Sequence, residues 1–191
     1  MLRRYPDLPT LTATLRARPS HAPAEERAGA AVATIFRPGA GSPEVLLIER
    51  ARRDGDPWSG HIAFPGGKRD PGDASLLATA LRETTEEVGL VLPPSSLVTR
   101  FDDFFARTHG TQVAQFVFAL EGQGAKLTPN AEVAAVLWTP LSVLVAPENA
   151  TTFPFEHDGR STELPCIHIG QHRLWGMTYR MLQALLETGL G

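Results

Sequence analysis

Glu83, Glu86 and Glu87 stand at i, i+3 and i+4 in the run LRETTEEVGL, a spacing that brings three carboxylates to one side of a helix. At about 100° per residue they span an arc of roughly 100°. Carboxylates about 5 to 6 Å apart repel by very roughly 3 kcal/mol at an effective dielectric near 20, and the negative end of the helix dipole adds to the cost. Something positive must offset this. Water and the neighbouring Arg82 would do so on an exposed surface. A divalent cation is the other answer. Hard oxygen ligands suit Mg²⁺ or Mn²⁺, which are commonly held between carboxylates and substrate phosphates. Such ions acidify a bound water and neutralise charge on a phosphoryl group, so the chemistry implied is hydrolytic phosphoryl transfer. Glu87 is one candidate to take the water's proton, and spacing alone does not assign the base.

The element that carries the glutamates reads as a helix. Leu77, Leu81, Thr84 and Val88 follow one face, which predicts a core-facing stripe with the glutamates nearly opposite. Asp73 or Ser75 can cap its start and Gly89 can end it. Ahead of it, the Pro65-Gly66-Gly67 break lets the backbone approach the same ions. Two β-rich runs, GAAVATIFRP and EVLLIER, are separated by GAGSP and predict a hairpin. A charged loop, RARRDGDPWSG, leads to a short strand at His61 to Phe64.

Downstream, LVTRFDDFFARTHG and TQVAQFVFALEG read as two strands, and EVAAVLWTPL as another that runs into a short helix around Leu141 to Val145. The tail predicts a short hairpin and an amphipathic helix from about Gly176 to Glu187. Residues 1–28 read as an N-terminal arm with a helical stretch from Leu8 to Ala17, and residues 29–191 as the domain proper. Strands holding two or three helices give an α+β or α/β layered class.

Composition narrows the function classes. The 191 residues, 42% of them hydrophobic, are ample for a core, and a formal net charge of −3 argues against nonspecific nucleic-acid binding. A lone cysteine, Cys166, permits no intrachain disulfide, so the cytoplasm is the expected compartment. No apolar run reaches the roughly 18 residues of a membrane span. Cys166, His168 and His172 are too few and too closely alternated for a structural zinc site. Neither a Gly-x-Ser-x-Gly elbow nor a Rossmann or P-loop glycine pattern is present.

The segment from Gly67 to Leu90 resembles the Nudix box: Gly, five residues, Glu, seven residues, Arg-Glu, an apolar residue, any residue, Glu-Glu, any residue, Gly and an apolar residue. Arg82, Glu83, Glu86, Glu87, Gly89 and Leu90 match its charged end. Asp73 takes the place of the first glutamate, eight residues rather than seven separate it from Arg82, and Thr84 replaces an aliphatic residue. The resemblance implies an α/β/α Nudix sandwich with a mixed sheet and a strand-loop-helix catalytic unit. Its expected activity is divalent-metal-dependent hydrolysis of a diphosphate linked to another moiety. In such proteins Glu83, Glu86 and Glu87 would bind Mg²⁺ or Mn²⁺ with the Gly66 carbonyl, Arg82 would orient a glutamate, and Glu132, six residues before Trp138, would add a further carboxylate.

The resemblance extends to the coenzyme A diphosphatase branch through Leu46, Leu47, Arg50, Gly60, the run Phe64-Pro65-Gly66-Gly67, PNAEV and the closing LWGMTYRML. It implies coenzyme A or its acyl derivatives as substrate, cleaved to 4'-phosphopantetheine and 3',5'-ADP. Departures lie in the substrate loop, where Ile48, Ala51 and Asp56 replace a threonine, a serine and an arginine. Another nucleoside diphosphate derivative is the alternative, and a nucleotide-binding module that does not cleave is the alternative from another class. Arg50, Arg52, Arg53 and Lys68 are candidates for phosphate contacts, Trp58 for stacking on adenine, and His109 for a further substrate contact. The expected partner is the small-molecule substrate, with no nucleic acid and no membrane; a homodimer is left open.

Overall fold

The computed structural model describes residues 7–18, 28–55, 58–106, 110–123, 126–157 and 159–189. In chain order the elements are α1 (Leu8–Ala17), β1 (Ala30–Arg37), β2 (Glu44–Arg50), β3 (Ile62–Ala63), β4 (Gly66–Lys68), α2 (Leu76–Val88), β5 (Leu97–Arg100), β6 (Phe104–Ala106), β7 (Thr111–Ala119), β8 (Val133–Pro140), α3 (Leu141–Leu144), β9 (Ala150–His157), β10 (Arg160–Ile169), β11 (His172–Trp175) and α4 (Gly176–Gly189). Strands β1 to β8 form one mixed sheet and β9 to β11 a second, with β10 in its middle.

The main sheet is forked, and the fork positions the site. The predicted hairpin forms, but β1 and β2 pair only at its closed end, Phe36 with Val45 and Arg37 with Glu44. Beyond that point the two strands take separate partners. β1 pairs with β4, from Ala30↔Lys68 to Val32↔Gly66, while β2 pairs with β3 through Ile48↔Ala63 and Glu49↔Ile62. The chain therefore enters the open end of the fork at His61, turns at Phe64-Pro65, and leaves beside Ala30. The Ala33 N–H donates to the Pro65 carbonyl at 2.8 Å, which ties the turn to the fork's base. β7 runs parallel to β1 and β8 antiparallel to β2, so both prongs are held from outside.

Alternation along the strands sorts the core into two layers. Ala31, Ala33, Ile35, Leu46 and Ile48 face α2, where Leu76, Ala80 and Val88 meet them. Phe36, Val45, Leu47 and Val117 face the other way, onto Leu11 and Leu15 of α1, Leu141 of α3, Leu182 and Leu185 of α4, and Ile167 and Leu174 of the second sheet. The helix expected at Leu8 to Ala17 is present, capped by Asp7, which accepts the Thr10 N–H at 2.9 Å.

Three expectations need correction. The stretch after Leu97 is not one strand: it breaks at Phe101–Asp103, where Phe101 turns fully inward, its N–H bonds the Gln115 carbonyl, and Arg100 pairs with Asp103 at 2.8 Å. The second sheet is larger than the short hairpin expected of the tail, because it gains a further strand, β9. It is one of the two outer strands of that sheet and carries Pro154 opposite Glu163.

The face of α2 that meets the sheet is only partly the predicted one: Thr84 and Val88 lie on it, and Leu77 and Leu81 do not. Leu76, Thr79, Ala80, Thr84, Glu87 and Val88 are its buried residues, and Leu77 and Leu81 flank them half-buried. The close approach of helix to sheet favours small side chains at the contact, so Ala80 and Thr84 lie at its centre and the leucines at its margin. Glu87 consequently sits within the buried face rather than opposite it.

Candidate active site

Ser75 caps α2 by accepting the Ala78 N–H, and Gly89 ends it in the left-handed conformation at φ 69°. Between those ends the three glutamates meet different surroundings. Glu87 is 3% exposed, and its Oε2 accepts the Gly66 N–H at 2.8 Å. Burial pushes its carboxyl up to about 7; the Gly66 bond and the Arg50 charge oppose the rise, and Glu83 and Glu132 add to it. Glu83 is half-buried, and burial raises its carboxyl too, against the pull of Arg82. Glu86 is exposed.

Arg82 joins the parts. Its Nε and Nη2 donate to the two oxygens of Asp73 at 3.0 Å each, its Nη1 reaches Glu86 at 2.9 Å and Glu83 at 3.0 Å, and its Nη2 also donates to the Lys68 carbonyl at 3.1 Å. The hydrogen bonds from Arg82 hold the Asp73 carboxyl well below the usual carboxylate range, and Asp73 in turn raises the guanidinium's affinity for its proton. Asp73 further accepts the Asp70 N–H and the Thr79 hydroxyl, both at 2.9 Å. Asp73, the aspartate that departs from the box, is thus held by Arg82 through both of its carboxylate oxygens. Thr84 is accommodated by donating its hydroxyl to the Ala80 carbonyl at 2.7 Å.

The glycines make the approach possible. Gly66 has φ 150°, and a Cβ there would meet the Ala31 carbonyl and the Val32 backbone; a Cβ at Gly67 would fall within 2.8 Å of both Glu83 carboxylate oxygens. The donor set is hard oxygen and the cradle is glycine-lined, which fits a hard divalent ion. Among the described residues no three His, Cys, Asp or Glu side chains converge into a ready ligand cluster; Arg82 lies against Glu83 and Glu86 instead.

The fork's open end gathers most of the other candidates. Arg50 ends β2 there, its N–H donating to the His61 carbonyl and its own carbonyl accepting the Gly60 N–H. Ala51 donates to the Glu132 carbonyl at 2.7 Å, which brings the later glutamate to the same rim. The Glu132 carboxylate pairs with Arg53 at 3.0 Å, both about half exposed. Arg52 and Lys68 are exposed, and Trp58 is half-buried with its ring edge-on to His61 at 5.5 Å. His109 and Asp56 lie outside the described residues. Of the residues weighed for zinc, Cys166 is buried and His168 exposed on one face of β10, whereas His172 lies 3.5 Å from Glu49 on the other side of that sheet.

One group of residues at the rim goes beyond the candidates that sequence spacing offers. Trp175 packs against His61 at 4.7 Å and against Phe153 and Phe155 at 5.1 Å each. Its sequence signal is the alternation of Phe153 and Phe155 in TTFPFEH, which Pro154 obscures.

A model of the NUDIX domain matches residues 26–158. The human mitochondrial coenzyme A diphosphatase NUDT8 is 36% identical over 182 residues, covering 92% of this chain and 72% of that protein. The mouse protein of the same name is 34% identical over 178 residues, covering 92% and 81%. Among solved structures, a NUDIX hydrolase from Alicyclobacillus acidocaldarius overlays with a TM-score of 0.53 at 23% identity, over 86% of this chain and 93% of the other. A MutT/nudix family protein from Enterococcus faecalis gives 0.57 at 17% identity, over 88% and 64%. These overlays support the fold.

Proposed function

This chain belongs to the Nudix family of hydrolases, and from that premise we propose that its diphosphatase activity is directed at coenzyme A or its acyl derivatives, with Mg²⁺ or Mn²⁺ as cofactor. The observation that carries the reading is the clamp of Asp73 and Arg82 on a glutamate set built against Gly66 and Gly67. The mammalian relatives, named as coenzyme A diphosphatases, supply the choice of substrate.

When bound, a divalent ion would be held by Glu83, Glu86 and Glu87, with the Gly66 carbonyl and Glu132 beside them, and would acidify water and neutralise phosphate charge. The chain's own groups do the positioning. Asp73 fixes Arg82, Arg82 sets Glu83 and Glu86, and the Gly66 N–H sets the Glu87 carboxylate. Arg50, Arg52, Arg53 and Lys68 offer the phosphates positive charge. Water adds to one phosphorus as the other phosphate departs with the bridging oxygen. Its proton passes to Glu87, the buried carboxylate, or to Glu132, the exposed one; replacing each by glutamine identifies which loss removes the acidic limb of the pH–rate profile.

The test is a panel of coenzyme A, dephospho-coenzyme A, ADP-ribose, a nucleotide sugar, a dinucleoside polyphosphate and a nucleoside triphosphate, read by product mass. Coenzyme A yields 4'-phosphopantetheine and 3',5'-ADP, and dephospho-coenzyme A is poorer by about ten- to a hundredfold, the loss of one charge-assisted contact. Equal cleavage of the two, or faster cleavage of a nucleotide sugar, removes coenzyme A from the assignment.

No described helix is long and apolar enough to cross a membrane. We place the protein in a reducing cytoplasm on its single buried thiol, Cys166, whereas the mammalian relatives are named mitochondrial. Fractionation of the source cells decides between them.

A further inference from the structure

The second sheet turns one face into the core through Ile167 and Leu174 and leaves the other outward. The cross-strand register Phe153↔Leu164 and Cys166↔Trp175 puts Phe153, Phe155, Leu164, Trp175 and Arg173 together on that outward face. The three rings are half-buried, and Phe153 and Phe155 stand nearly edge-on to one another at 6.4 Å. Arg173 is exposed, its guanidinium 4.4 Å over the Phe153 ring. Trp175 is the hub, in contact with both phenylalanines and with His61.

His61 connects this aromatic shelf to the candidate active site. Its carbonyl accepts the Arg50 N–H, and Arg50 is close enough for its charge to act on Glu87. His61 is also five residues before Gly66, so the two Cα atoms are at most about 17 Å apart. The shelf meets the fork through His61 on the second-sheet side, and the glutamates meet it through Gly66 and Gly67 on the α2 side.

We propose that this shelf binds the nucleobase of the substrate, with Arg173 beside it to meet a phosphate on the ribose. The inference rests on the reading above that the substrate is a nucleoside diphosphate derivative. Aromatic rings locked edge-to-face present a rigid apolar surface at small entropic cost. A planar base stacks on such rings through its π face, whereas a pantetheine arm has no ring to stack. The guanidinium over Phe153 adds a cation where a nucleotide brings negative charge.

Calorimetric titration of the full chain with 3',5'-ADP and, separately, with 4'-phosphopantetheine tests the shelf. Trp175→Leu and Phe155→Leu weaken 3',5'-ADP by about five- to a hundredfold, the range for loss of one base–aromatic stack, and leave 4'-phosphopantetheine unmoved. Trp175→Phe, which keeps a ring, restores most of the affinity and guards against misfolding as the cause. With substrate, the loss falls in KM rather than kcat. Undiminished 3',5'-ADP affinity in both leucine variants overturns the proposal, as does weakening confined to 4'-phosphopantetheine, which would put the other half of the substrate on the shelf. If coenzyme A is not cleaved and ADP-ribose is, with AMP affinity still dependent on Trp175, the shelf stands and the coenzyme A reading falls. If the leucine variants cleave coenzyme A normally and with unchanged KM, the coenzyme A reading stands and the shelf falls.

Discussion

Gly67 and Glu83 touch so closely that residue 67 has no room for a side chain: a Cβ there would lie 2.5 Å from Glu83 Oε1 and 2.6 Å from its carboxyl carbon. The obstruction is a side chain, which can swing away. At Gly66 it is backbone, with the Val32 Cα 2.6 Å from the same added atom and φ at 150°. Gly67→Ala is therefore expected to keep the fold while displacing Glu83. Turnover should fall by about a hundredfold, the order expected for an ångström of misplacement. Gly66→Ala should instead cost about 1 to 3 kcal/mol of stability from backbone strain alone. Thermal melts and steady-state rates of the two variants separate the effects; equal melting temperatures contradict the distinction.

Glu87 makes the metal-free protein pH-sensitive. Its carboxyl lies at about 7 when folded, raised from 4.5 by burial, so the folded state binds the proton more tightly than the unfolded one. Stability from this group is full below pH 4.5 and is lost as pH rises through about 7, a difference of roughly 3 kcal/mol. Chelator-treated protein should melt lower at pH 8 than at pH 6, Mg²⁺ should restore more stability at pH 8, and Glu87→Gln should flatten the profile. A wild-type melting temperature that rises over this window would refute the assignment.

Asp73 and the extra residue of its loop are expected to compensate one another, because Arg82 is reached by both Asp73 oxygens. Asp73→Asn should reduce kcat/KM by about tenfold or more, because Arg82 loses the anion that orients it. Asp73→Glu alone should also impair activity, since the longer side chain overshoots. Removing the exposed Ala74 from the Asp73→Glu variant should recover much of the loss. Failure of this double change to exceed Asp73→Glu would show that loop length is not the compensation.

Arg53 and Glu132 lie about half exposed, where an ion pair contributes little to stability. Arg53→Ala should shift unfolding by less than about 0.5 kcal/mol yet raise KM for a diphosphate substrate several-fold. A large stability loss with unchanged KM would assign the pair to the fold instead.

The sequence made the glutamates, their helix and its caps legible because spacing and capping chemistry are local. Ser75 and Gly89 do what their types suggest. The burial of Glu87 was not legible, because it depends on how closely α2 approaches a sheet built from residues far away in the chain. The fork was equally hidden, since nothing in the runs around β1 and β2 says that their pairing stops after Phe36 and Val45. The aromatic shelf escaped for a third reason. Its rings come from three separate stretches, around His61, Phe153 and Trp175, and only cross-strand register assembles them.

Pro154 has a bearing on how the protein behaves in crowded solution. An open outer strand offers its unused amides to any other chain, and β9 is such a strand, with two phenylalanines to make adhesion favourable. A proline has no N–H to lend, and Pro154 stands between those two rings. Glu156, two residues on and on the same side of the strand, adds a charge. This open edge thus carries its own interruption, and replacing Pro154 with threonine is expected to make β9 more prone to pair with another chain.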